Sequence, residues 1–245
     1  MCTTYLNCAY DVLVRVHRTQ RFLLALGAAG PVIFVTAYLV NGATQPGYSS
    51  WHDTISTLSL ARHGWIQAAS FMLYGLLTLC FAEGLRRSGA ASRWGFRLLV
   101  VAGLGLLVIG PVRTDPVLGF PAGEPAAATP GGTVHSLVSL VVFLAFPAAV
   151  FVLARRSSRG WAAFSIASGV LSLVAVALFF ATVAAAKGHD GGDSPAGFYE
   201  RLPTLFIGLW QIAFALRVLT RRAGSRARRS VQGCGNAPST VAADG

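Results

Sequence analysis

Apolar residues gather in six long stretches, at about 22–40, 65–85, 96–112, 133–154, 161–186 and 203–220, and polar residues collect between them. Each stretch runs near the 20 residues that an α-helix needs to cross a hydrocarbon core of roughly 30 Å. The runs are too long and too poorly alternating for barrel strands, and in lipid a helix satisfies its own backbone hydrogen bonds. The pattern predicts an all-α membrane protein, a bundle of six transmembrane helices over residues 22–220. The run from Phe22 to Val40 exceeds a signal h-region of about 7–15 residues, so it is expected to be retained as the first span. Residues 1–21 form a basic N-terminal segment, and the polar, small-residue-rich stretch 221–245 is expected to be a disordered basic tail.

The connection "GYSSWHDTISTLSLARHG", residues 47–64, carries a different pattern. Ser50 and Asp53 have the spacing of a capping box. Trp51, Ile55 and Leu58 recur at i, i+4 and i+7, which predicts a short interfacial helix with an apolar stripe against the membrane. His52, Ser56 and Ser59 form a second, polar stripe.

Composition agrees with the membrane reading: 12% of residues are charged and 54% apolar, against about 25% charged in soluble domains. The net charge of +11 does not imply nucleic acid, which calls for Arg and aromatic residues clustered on one domain face. Here the basic residues sit in short groups between apolar runs. All the Lys and Arg except Arg62, Arg113, Lys187 and Arg201 fall on one side of a six-span topology. By the positive-inside rule both termini are then cytoplasmic in a multi-pass protein of the plasma membrane. The expected partners are the bilayer and, for the basic tail, anionic lipid headgroups on the cytoplasmic side. Cys2, Cys8, Cys80 and Cys234 show no metal-ligand spacing and read as free thiols.

On this topology, Asp53, Asp115, Glu124, Asp190, Asp193 and Glu200, with His52, His63, His135 and His189, all belong to the outer side. Gly110-Pro111 is expected to end the third span, leaving Arg113 and Asp115 at its exit. Thr133 is expected to cap the fourth span, with His135 in its first turn. Ser194-Pro195 reads as a helix start that puts Glu200 and Arg201 in the second turn, near the interface. His189 and Asp190, beside glycines, read as solvated loop.

Three segments in order, "WHDTISTLS", "RTDP…TPGGTVHSLVS" and "GFYERLPTLFIGLW", resemble the bacterial and archaeal multi-spanning family called domain of unknown function 998, over roughly residues 22–220. The resemblance implies a six-helix integral membrane protein and brings no established activity. Its matching positions here are Asp53, Ser56, Asp115, Pro116, His135, Glu200 and Arg201. Related sequences read closer to "DTISELG" in the first segment, where this chain has Thr57-Leu58-Ser59.

No G-x-S-x-G, H-E-x-x-H or Walker A pattern occurs. Three functional readings follow. The first is a structural or accessory membrane protein whose polar cluster locks helices together. The second is a hydrolase or transferase acting on a lipid or envelope substrate at the outer interface. Asp53, Asp115, His135 and Glu200 would then be its acid/base groups, and Arg113, Arg201 and Ser56 would hold the substrate. Asp53, Asp115 and His135 are candidate ligands for a divalent metal, the one cofactor that enters. The third is a small-molecule transporter, disfavoured by the scarcity of ionisable residues within the spans and the lack of an inverted repeat.

Overall fold

The computed structural model describes residues 2–155, 157–186 and 194–235, with side chains described over 18–155, 157–186 and 194–220. The helices are α1 (Cys2–Thr44), α2 (Gly64–Arg87), α3 (Arg93–Ile109), α4 (Pro130–Ala154), α5 (Arg159–Ala186) and α6 (Ala196–Gly235). A single 3-10 turn, Ser56–Leu60, precedes α2. Five helices are long and apolar enough to cross a membrane. The sixth, α3, has 17 residues and spans about 25 Å at 1.5 Å per residue. The protein is an all-α, multi-pass membrane protein.

Each helix packs against the next in sequence, and α6 returns to α1, so the six form a closed ring. The connections 45–63 and 110–129 and the start of α6 share one end of it, the long-loop end. The short connections 88–92 and 155–158 lie at the other.

Local chemistry sets the helix starts. The Ser92 hydroxyl caps α3 by accepting from the Gly95 N–H at 3.2 Å. α4 begins earlier than the expected cap at Thr133. Thr129 is the N-cap, accepting from the Gly132 N–H at 3.0 Å. Pro130 then takes the first helical position, where its missing N–H costs nothing. Thr133 instead returns its hydroxyl to the Thr129 carbonyl at 2.9 Å, and His135 falls in the second turn. At the far end, α6 continues to Gly235, past the expected span end at 220. α1 likewise starts well before Phe22, at Cys2.

Side chains are sorted for a lipid exterior. Leu39, Leu76, Leu137, Val141, Val174, Leu205 and Leu216 point outward. Inward lie aromatic residues and a few paired polar groups. Phe34 stacks on Tyr74 at 5.1 Å between centroids, and Tyr74 on Phe146 at 6.1 Å. The buried Trp210 indole donates to Ser165 Oγ at 3.0 Å, tying α6 to α5. Gln211 donates to the Gly27 carbonyl at 2.8 Å, tying α6 to α1. In lipid such interhelical bonds contribute about 0.6 kcal/mol each, at most about 1.7. Between α2 and α3, a Cβ on Gly75 would come within 2.6 Å of the Gly103 carbonyl oxygen. The glycines let the two backbones approach as no larger residue could.

Candidate functional site

The first loop does not lie on the membrane as an α-helix. Residues 51–53 form turns, and the short helix that follows is a 3-10 turn whose apolar residues face inward. Ile55 and Leu58 are 2% and 0% exposed and join the bundle core. Trp51 alone of the expected stripe stays outside, stacked on Phe198 of α6 at 5.2 Å. The loop is therefore a plug in the mouth of the ring, and its backbone polar groups must find partners there.

They find them on α6. The N–H groups of Gly197 and Phe198, left over at the helix start, donate to the carbonyls of His52 at 3.2 Å and Trp51 at 2.9 Å. A side chain at position 197 would strike the Asp53 carbonyl, so glycine is required for this approach. One turn on, the buried Glu200 carboxylate accepts from the Ile55 N–H and from the Ser56 hydroxyl at 3.3 Å. Arg201 donates to the carbonyls of Asp53 at 3.0 Å and Gly197 at 2.7 Å, and to the Tyr48 hydroxyl. Its guanidinium also sits 5.5 Å from the Tyr38 ring centroid and 5.7 Å from that of Tyr48. Tyr48 donates in turn to the Thr54 carbonyl at 3.0 Å. Burial pushes its phenol above the usual range, so it remains a neutral donor.

Asp53 is wholly buried and holds its own loop together. One oxygen accepts from the Ser49 N–H at 2.7 Å and the other bonds His52 Nδ1 at 2.6 Å. The reciprocal partner is thus Ser49 rather than Ser50, closed by the Asp53 N–H donating to the Ser49 carbonyl at 2.8 Å. Asp115 serves α4 in a similar way, accepting from the Thr129 N–H at 2.8 Å and hydroxyl at 2.6 Å. Gly132 packs against that carboxylate where a Cβ would collide. Arg113 is exposed, as are Arg62 and His63. The pair His189 and Asp190, with Lys187, lies outside the described residues.

The sequence-derived candidates are therefore split. Ser56, Glu200, Arg201 and Asp53 meet at the junction of the first loop and α6, while Asp115 organises the second loop. Among the described residues no three His, Cys, Asp or Glu side chains come together to hold a metal ion, and Asp53, Asp115 and His135 make no such group.

What joins the two parts is a cavity of about 690 Å³ at the long-loop end. Its polar wall carries Ser56, Glu200, Asp115, His135, Ser136 and Ser139. Its apolar wall carries Leu137, Phe179, Phe180 and Val183 of α4 and α5. Leu137 and Phe180 are 59% and 40% exposed and belong to the membrane-crossing helices α4 and α5, so the cavity opens between these two helices. His135 is 2% exposed. Its Nδ1 bonds the Val112 carbonyl at 2.6 Å, while Nε2 and the Ser139 hydroxyl have no partner. Deeper in the bundle lies a smaller cavity of about 60 Å³, walled by Phe34, Phe71, Tyr74 and Phe146. The two adjoin through Ser56, Ser139, Phe143 and Glu200.

Ser139 was reachable from the sequence, because it stands four residues after His135 and shares its helix face. Tyr48 and Thr129 were not, since their roles depend on loops brought together by the ring.

The family model described as "Protein of unknown function (DUF998)" matches residues 28–217. No curated protein and no solved structure matches the chain.

Proposed function

The chain belongs to the DUF998 family, and from that premise we propose that it is a plasma-membrane protein that binds an amphiphile at its outer face. α3 would complete six spans, and the distribution of Arg would place both termini in the cytoplasm. The long-loop end then faces outward.

One observation carries the reading: a cavity of ligand size whose one wall is polar and whose other wall is apolar and built from two membrane-crossing helices. A headgroup would reach His135, Ser136, Ser139 and Ser56, while its chain stays against Leu137, Phe180 and Val183. Asp53 and Arg201 have their polar atoms directed into the first loop and α6, and serve as the lock of the first reading. The terminal NH groups of Arg201 are taken by carbonyls and the Tyr48 hydroxyl, which ties its guanidinium to the first loop and α6.

Native mass spectrometry of the protein in nanodiscs provides the test. A retained amphiphile is expected on the wild type and not on Ser139→Trp, which fills the cavity from α4. Circular dichroism should show both proteins equally helical. Retention of the same species by Ser139→Trp, or a wild type that retains none and takes up no added amphiphile, overturns the reading.

A further inference from the structure

The cavity walls differ from most headgroup sites in their charge. Among the described lining residues stand three acids, Asp115, Glu124 and Glu200, and no Lys or Arg. Arg113, next to Thr114 in sequence, is exposed, and Arg201 turns its donors to the first loop. A phosphate or sulfate brought here would meet carboxylates across a partly dehydrated space, where like charges repel more strongly than in water.

His135 adds an independent indication. In the neutral ring, the bond from Nδ1 to the Val112 carbonyl puts the proton on Nδ1, because a carbonyl can only accept. Nε2 is then an acceptor, buried and unpartnered, on a residue that lines the cavity. A buried acceptor without a donor is costly, so the site is built for a group that brings an N–H or O–H. Phe143, Phe179 and Phe180 line the same space, and aromatic faces attract cations.

Resting on the amphiphile-binding reading, we propose that the cavity selects a headgroup bearing a protonated amine. The ammonium N–H donates to His135 Nε2 and to the seryl oxygens, and its charge is balanced by Glu124 and Asp115. Both an amine-bearing membrane lipid and a cationic amphiphile arriving from outside carry this chemistry.

Three amphiphiles with one chain and different heads separate the terms: dodecylammonium, dodecyl maltoside and dodecyl phosphate. Each is titrated below its micelle concentration into the full-length protein in phosphatidylcholine nanodiscs, with empty nanodiscs as the blank. Dodecylammonium should bind about tenfold more tightly than the maltoside, with the phosphate weakest. Glu124 is exposed and takes no part in the bonds of Asp53, Glu200 and Arg201, so Glu124→Gln leaves the lock intact. It should weaken dodecylammonium about threefold and leave the maltoside unchanged. Equal or tighter binding of the maltoside or the phosphate, or an unchanged ammonium affinity in Glu124→Gln, overturns the headgroup assignment alone. Failure of all three to bind above the blank overturns the amphiphile reading beneath it. A native lipid is distinguished from an external compound by whether an amine-bearing species is retained on the protein purified directly from membranes.

Discussion

A carboxylate buried at the end of a membrane bundle persists only when its oxygens are occupied, and Glu200 and Asp53 meet that condition differently. Glu200 reaches across the ring to the Ile55 N–H and the Ser56 hydroxyl, whereas Asp53 stays within its own turn on Ser49 and His52. Glu200→Gln should therefore be the more damaging exchange, because its amide NH₂ can replace one acceptor oxygen and face a donor. We expect a loss of about 1–3 kcal/mol, read as a lower thermal midpoint in detergent with faster hydrogen exchange over residues 49–60. Asp53→Asn keeps an acceptor for Ser49 and can offer an N–H to His52, so its loss should be smaller. A Glu200→Gln protein that melts and exchanges like the wild type would refute the lock. Both residues stand out in the sequence as acids beside a long apolar run. Their partners do not. The positive charge of Arg201 invites pairing with the Asp53 carboxylate, yet Arg201 bonds the Asp53 carbonyl, a group made available by the turn and invisible in residue type.

At the scale of elements, spacing misleads where the helix type changes. Trp51, Ile55 and Leu58 share a face only on an α-helix. In the turn and 3-10 geometry of this loop, Ile55 and Leu58 point into the bundle and Trp51 points away. The long spans were legible because twenty apolar residues in lipid leave the backbone one economical form. The start of α4 was missed for a local reason: Thr133 and Thr129 both fit a cap, and Pro130 decides between them. Close packing is testable at the glycines of α2 and α3. Gly75→Leu should push the helices apart and cost about 1–3 kcal/mol or more, seen as a lower melting point. Gly160→Ala, with open space around its Cβ position, should leave the midpoint near the wild type.

For the whole molecule, the sequence pattern yields the number and order of helices but not their arrangement. Ring closure depends on small faces, such as Gln211 against the Gly27 carbonyl, that no periodicity reports. Orientation is set by charge and can be checked directly. With the native cysteines replaced by Ser, Glu124→Cys should react with a membrane-impermeant maleimide on intact cells, and Ser157→Cys only after permeabilisation. The reverse pattern would invert the topology.

The first loop's dependence on α6 has a consequence for synthesis. Ile55 and the Asp53 carbonyl leave the ribosome long before Glu200 and Arg201 do. Until the final helix inserts, the nascent chain holds an unsealed loop and an unmatched α1 surface. Completion of the last span is thus the step that closes the mouth, and a chain stopped before residue 196 would present that open seam to membrane quality-control proteases.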